Sequence, residues 1–298
     1  MRFKDLNKNF KISFLIGLTF TSFGLILSLT GFSSLGLAFF FFLPLAIGIS
    51  SGMLPETIHV VLGTIVSLFI FCLFLFFTGT EGVICILTAL PIILIAIGLG
   101  YGIGYIIRLY RRKDNENFKV TLSPILLFLV ANMFEMFSGS TMFPASVSTT
   151  IKIKGTPSQV YNSIIAVDTV NVETNFLQKI GLPTPRKCVL TEAKVGGKRI
   201  CQFEEGVIVE TIKELKQDSL LRMDVTSCEL DHNRSWLRFN EDIYIIDKVD
   251  NEITSITRTT TYFSNLKPRV YWEVMEAITI RAEQEFVFRN LEKDVRNL

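Results

Sequence analysis

Pro144-Ala-Ser-Val-Ser-Thr-Thr-Ile-Lys-Ile-Lys-Gly-Thr-Pro-Ser158 is the stretch on which the fold turns. From Ser146 to Lys154 it alternates at period two and is rich in β-branched residues, the pattern of a half-buried strand. A helix start follows: Thr156 suits the cap, Pro157 suits the first helical position, and Val160, Tyr161, Ile164 and Ile165 form an apolar face. Upstream of Pro144 nothing reads this way. Between Ile12 and Ile107 the only formal charges are Glu56 and Glu81, a composition suited to lipid rather than water.

Downstream, strand-like segments run over Cys188–Ala193, Arg199–Phe203, Val207–Leu215, Ser219–Val225, Ser235–Val249 and Glu252–Phe263. Leu182–Arg186 reads as loop, and Gly196-Gly197 and Asp250-Asn251 mark tight turns. From Pro268 to Arg296 the period becomes helical, with Tyr271, Val274, Met275, Ile278, Phe286 and Leu291 as expected buried positions. The order is strand, short helix, antiparallel strands, long terminal helix. The segment 145–298 is the size of one domain with its own core.

Residues 1–143 predict a transmembrane helical bundle of five spans, near 12–32, 35–50, 57–78, 82–109 and 122–143. A tight hairpin at Gly31–Ser34 joins the first two. Basic residues set the orientation. Arg2, Lys4, Lys8 and Lys11 precede the first span, and Arg108, Arg111, Arg112, Lys113 and Lys119 lie between the fourth and fifth. Both segments are therefore expected on the cytoplasmic side, and a crossing fifth span carries the C-terminal domain outward. Within that span Asn132, Glu135 and Ser138 share a helix face. An intramembrane carboxyl marks a functional candidate, against which stands ordinary interhelical hydrogen bonding, the preferred reading here. Gly98/Gly102, Gly100/Gly104 and Gly48/Gly52 have the spacing of close helix packing.

The net charge of +2 conceals an uncharged half and a mixed-charge half, with no clustered basic face to suit nucleic acid. Cys188, Cys201 and Cys228 lie in the C-terminal domain, where at most one pair can close; three buried free thiols are the default expectation. The only histidines are His59 and His232, and no Cys/His ligand spacing, GxSxG elbow or phosphate loop occurs. No metal site, cofactor or catalytic constellation is expected.

Thr149–Tyr161 resembles the opening strand and helix of the START, Bet v 1 and polyketide-cyclase superfamily. Arg199–Gly206 with Glu210 and Ile212 resembles its central hairpin, and Tyr262 with Pro268-Arg-Val-Tyr-Trp272 its last strand and grip helix. The whole chain resembles bacterial multi-pass membrane proteins carrying such a domain at the C-terminus, Glu81–Pro91 matching a phrase in their penultimate span. The resemblance implies a helix-grip α+β domain in the bacterial inner membrane, its curved antiparallel sheet wrapped on a long helix around an apolar cavity. The lining would then come from Phe203, Met223, Trp236, Tyr244, Tyr262, Trp272 and Met275, each of which suits a filled core equally. Arg199, Glu210 and Arg258 are the polar groups expected to orient a ligand, the arginines by gripping a carboxylate or phosphate if their faces are concave. If the register is off by one, both are solvated.

Three functions follow as expectations. The domain binds a lipid or other hydrophobic small molecule as carrier or sensor; or it is a cyclase- or hydratase-like enzyme on a lipophilic substrate; or the bundle is the active part, a transporter or sensor. The fold does not choose among them. Partners are the bilayer and the hydrophobic molecule, with the oligomeric state open.

Overall fold

The computed structural model describes residues 7–32, 36–111, 123–139, 141–165, 169–204, 206–230 and 236–296. Arg2, Lys4, Ser34, Arg112, Lys113, Lys119 and His232, named above, lie outside the described residues, as does the side chain of Arg111. The chain divides into two compact units, one of residues 1–141 with 266–271, the other of residues 142–265 with 272–298.

The first unit is helical: α1 (Lys8–Leu29), α2 (Ala38–Gly52), α3 (Thr57–Phe77), α4 (Val83–Arg111) and α5 (Ile125–Ser138). Asn7 caps α1 by accepting from the Asn9 amide. Three of these helices, α1, α3 and α4, are long and apolar enough to cross a membrane, against the five expected. The second apolar run opens as a π-helical turn over Ala38–Phe42 and continues for only ten more residues to Gly52. The fifth contributes a 14-residue helix, because Phe143 already belongs to a strand. At 1.5 Å per residue each reaches about 21–22 Å, short of the roughly 30 Å hydrocarbon layer.

Small residues set the helix contacts. A Cβ on Gly17 would lie 2.0 Å from Ser67 Oγ, and one on Gly63 2.1 Å from Ser13 Oγ, so α1 and α3 run parallel at close approach. A Cβ on Gly48 would meet Ile97 O at 2.2 Å, and one on Gly104 would meet Ile49 O at 2.2 Å. The Gly48/Gly52 and Gly100/Gly104 pairs thus interlock, with α2 parallel to α4. Gly98 and Gly102 differ: a Cβ there meets nothing within 4 Å. One end of the unit gathers the starts of α1 and α3, where Asn7 donates to Glu56 at 2.6 Å, and the end of α4, where Arg108 donates to the Leu54 carbonyl. At the α1–α2 connection, Asn132 of α5 donates to Phe32 O at 2.7 Å. Glu135 accepts there from the Leu37 and Ala38 amides at 2.7 and 3.2 Å.

The second unit holds a seven-stranded sheet in the order β1-β7-β6-β5-β4-β3-β2. Its strands are β1 (Phe143–Lys154), β2 (Pro185–Leu190), β3 (Lys198–Phe203), β4 (Gly206–Lys216), β5 (Leu220–Leu230), β6 (Leu237–Lys248) and β7 (Ile253–Ser264), each pairing antiparallel. Two short helices, α6 (Pro157–Ile165) and α7 (Phe176–Lys179), join β1 to β2, and α8 (Arg269–Arg296) ends the chain. This is the helix-grip arrangement, a curled antiparallel sheet with a long C-terminal helix. Gln159 accepts from the Thr156 amide at 2.9 Å and donates its own amide to Thr156 Oγ1 at 3.4 Å, closing a cap before Pro157.

Alternation along β7 is regular: Thr254, Ile256, Arg258, Thr260, Tyr262 and Ser264 are buried, and the residues between them are not. A core of Ile153, Val160, Ile212, Leu221, Met223, Ile246, Ile256, Phe288 and Leu291 sits inside. Two expectations for α8 are corrected. Val274 and Ile278 are 52% and 48% exposed, while Trp272, Glu276, Ile280, Gln284, Phe288 and Val295 form the buried stripe. The interior accepts Glu276, Gln284 and Asn290 because each is hydrogen-bonded there, so the buried face is not the most apolar one.

Candidate functional site

The antiparallel register lines up a polar row across the inner face. Thr149 of β1 pairs with Arg258 of β7, which pairs with Tyr244 of β6. One step along, Asp242 faces Thr260. Across the sheet Arg199 of β3 faces Glu210 of β4. Both arginines are therefore on the inner face. Their donors, however, are largely occupied by carboxylates of the chain itself.

Arg199 Nε donates to Glu210 Oε2 at 2.6 Å, with both side chains almost wholly buried. Arg258 donates through Nη2 to Asp242 at 2.7 Å and through Nη1 to the two oxygens of Glu283 at 2.9 and 3.1 Å. Thr260 Oγ1 donates to Asp242 and accepts from Gln284 Nε2 at 2.9 Å; Thr149 donates to Gln284 Oε1 at 2.6 Å. Tyr244 lies within cation–π range of both guanidiniums, 5.4 Å from that of Arg199 and 5.5 Å from that of Arg258. Two arginines, three carboxyls and a tyrosine thus form a charged cluster in a largely apolar interior.

Burial acts differently on the three acids. It pushes Glu283 above the ordinary carboxyl range, more than Arg258 can offset. Glu210 is also raised by burial, which the Arg199 ion pair only partly counters. Burial works against the Asp242 charge too, yet Arg258 and the Thr260 hydroxyl hold its carboxyl below the usual range. Tyr244 is held protonated well into alkali by burial.

The other expected lining residues are dispersed. Met223 is in the packed core, and Tyr262 packs with Val147 and Ile280. Trp272 is buried on α8; Trp236 and Met275 are half-buried, as is Phe203, which packs beside Cys188 and Cys201. Those two cysteines are joined in a disulfide between β2 and β3, and Cys228 is an exposed free thiol, which corrects the expectation of three buried thiols. The pairing is a consequence of register, since Cys188 and Cys201 are directly opposed. Asp242, Thr260, Glu283 and Gln284 were not among the residues singled out from the sequence. Only the acidic pair Glu241-Asp242 inside a strand hinted at them.

No family model matches the sequence, and no curated protein is significantly similar to it. Solved structures are similar in part. Norcoclaurine synthase from Thalictrum flavum is 11% identical, with 52% of this chain and 88% of that one covered and a TM-score of 0.36. A START superfamily protein from Mycobacterium smegmatis is 11% identical, covering 51% and 97%, with a TM-score of 0.35. A protein of unknown function from Staphylococcus aureus is 11% identical, covering 53% and 99%, with a TM-score of 0.37. Likeness at this level assigns neither ligand nor reaction.

Proposed function

We propose that this is a membrane-anchored binding protein whose helix-grip domain takes a lipid or other hydrophobic small molecule, as carrier or sensor. The observation that carries the reading is the Arg199/Glu210 and Asp242/Arg258/Glu283 cluster inside an apolar domain interior. Charges so placed are expensive to desolvate, and well-packed hydrophobic residues would often serve stability as well or better. Carboxyls displaced from their ordinary range gather at functional sites. Apolar sites with a few polar groups are what orient hydrophobic ligands.

We place the domain on the outer side of a bacterial inner membrane. Supporting this, Lys8 begins α1 and Arg108 lies in the last turn of α4 at one end of the helical unit, fitting a cytoplasmic basic face. Asn132 and Glu135, near the end of α5, engage the α1–α2 connection, which lies at the other end. The Cys188–Cys201 disulfide fits an oxidising compartment.

A second reading, acid–base catalysis on a lipophilic substrate, draws on the divergent carboxyls: Asp242 lowered and Glu283 raised within one cluster. Substrate turnover lost in Glu283→Gln with ligand retention intact would favour it. A transport role for Glu135 is less favoured, because both its oxygens accept from backbone amides.

Trp236 and Trp272 are the only tryptophans and both lie in the C-terminal half of the chain, so emission from the full chain reports on the helix-grip domain. Titration with fractionated membrane lipids should shift that emission and raise the domain's unfolding temperature for one fraction. Indifference to every fraction would overturn the reading.

A further inference from the structure

We infer that the molecule held in the helix-grip interior presents a neutral acceptor oxygen, a hydroxyl or carbonyl on an apolar body, to Arg258. This rests on the ligand-binding reading above. Arg258 is 8% exposed, and its Nη1 and Nη2 are engaged by Glu283 and Asp242. Its Nε is buried and has no hydrogen-bond partner. A buried donor without an acceptor is unfavourable, and a ligand oxygen would remove that penalty.

The head-group chemistry follows by elimination. An anionic head is gripped best by two parallel N–H groups of one guanidinium, but Nη1 and Nη2 of Arg258 already donate to Glu283 and Asp242, and Nε is its one nitrogen without a partner. The surroundings are also hostile to it: Glu210, Asp242 and Glu283 outnumber Arg199 and Arg258 by three to two. Burial already raises Glu283 and Glu210, so a further negative charge is poorly tolerated. An ammonium head fits the charge but carries only donors, and leaves Nε unmatched. A neutral oxygen supplies the acceptor and adds no charge.

The test uses the full chain in mild detergent, offered equimolar tetradecanol, tetradecanoic acid and tetradecylamine, with retention read by native mass spectrometry. The alcohol should be retained about tenfold over the acid and the amine, the scale of one buried hydrogen bond. Retention of acid or amine equal to that of the alcohol would overturn the inference and leave the ligand-binding reading standing. Retention of none of the three would overturn both.

Discussion

Arg199 and Glu210 illustrate how single residues shape this domain. Their 2.6 Å ion pair lies across β3 and β4 with almost no exposed surface. Removing one partner strands the other charge, and Arg199→Ala or Glu210→Ala should destabilise by about 3–5 kcal/mol in tryptophan-monitored unfolding. The double variant Arg199→Met/Glu210→Leu should lose less than either single one, since no unpaired charge remains. Glu283 gives a pH dependence. Its folded carboxyl lies above the ordinary 4.5, so its stabilising contribution is complete below that value and is lost as pH rises through the folded value. Asp242 acts oppositely: its contribution is present above 3.8 and lost as pH falls through its lowered folded value. Glu283→Gln should flatten the first slope and leave the acid limb intact, as read from unfolding temperature against pH. Arg199, Glu210 and Arg258 were legible because each interrupts an apolar alternation. Asp242 and Glu283 were not, since a carboxyl in a mixed-charge strand or helix looks solvated until its partner strand is known.

Among the elements, the α2–α4 contact shows what spacing alone conceals. Four glycines at two-residue intervals, Gly98 to Gly104, give two GxxxG pairs of equal appearance. The partner helix distinguishes them. A Cβ on Gly100 would come 2.2 Å from Leu45 O, whereas one on Gly98 is unopposed. Gly100→Leu should therefore lower thermal stability in detergent by about 1–3 kcal/mol, and Gly98→Leu should leave it unchanged. Glu135 closes the start of α2, so Glu135→Ala, which releases the Leu37 and Ala38 amides, should cost about 1–2 kcal/mol by the same assay. The strands were largely legible from period-two alternation and turn residues. β2 and β5 were exceptions: β2 runs from Pro185 to Leu190 where loop to Arg186 and a strand over Cys188–Ala193 had been expected, and β5 runs on to Leu230 where Val225 had been expected to end it, because Ser227–Leu230 pairs with Gly206–Val209 although its own alternation is weak. The long terminal helix was legible in extent but not in facing, since its buried stripe includes Glu276, Gln284 and Asn290.

At the scale of the whole molecule, the chain combines a nearly uncharged helical half with a mixed-charge half that carries the sheet. The division was plain from charge distribution, but the number of long helices was not, because an apolar run does not disclose where its helix begins or breaks. Sidedness has a direct check in Cys228, an exposed thiol. In intact cells, with Cys72 and Cys85 replaced by serine, a membrane-impermeant maleimide should label Cys228; labelling only after lysis would place the domain inside. The proposed function requires above all that the helix-grip interior hold a hydrophobic molecule. Its most direct test is mass spectrometry of the organic extract from the full chain purified in mild detergent. A single hydrophobic species should appear, stoichiometric with the chain and enriched over bulk membrane lipid. An extract holding only bulk lipids, in the proportions of the membrane, would contradict it.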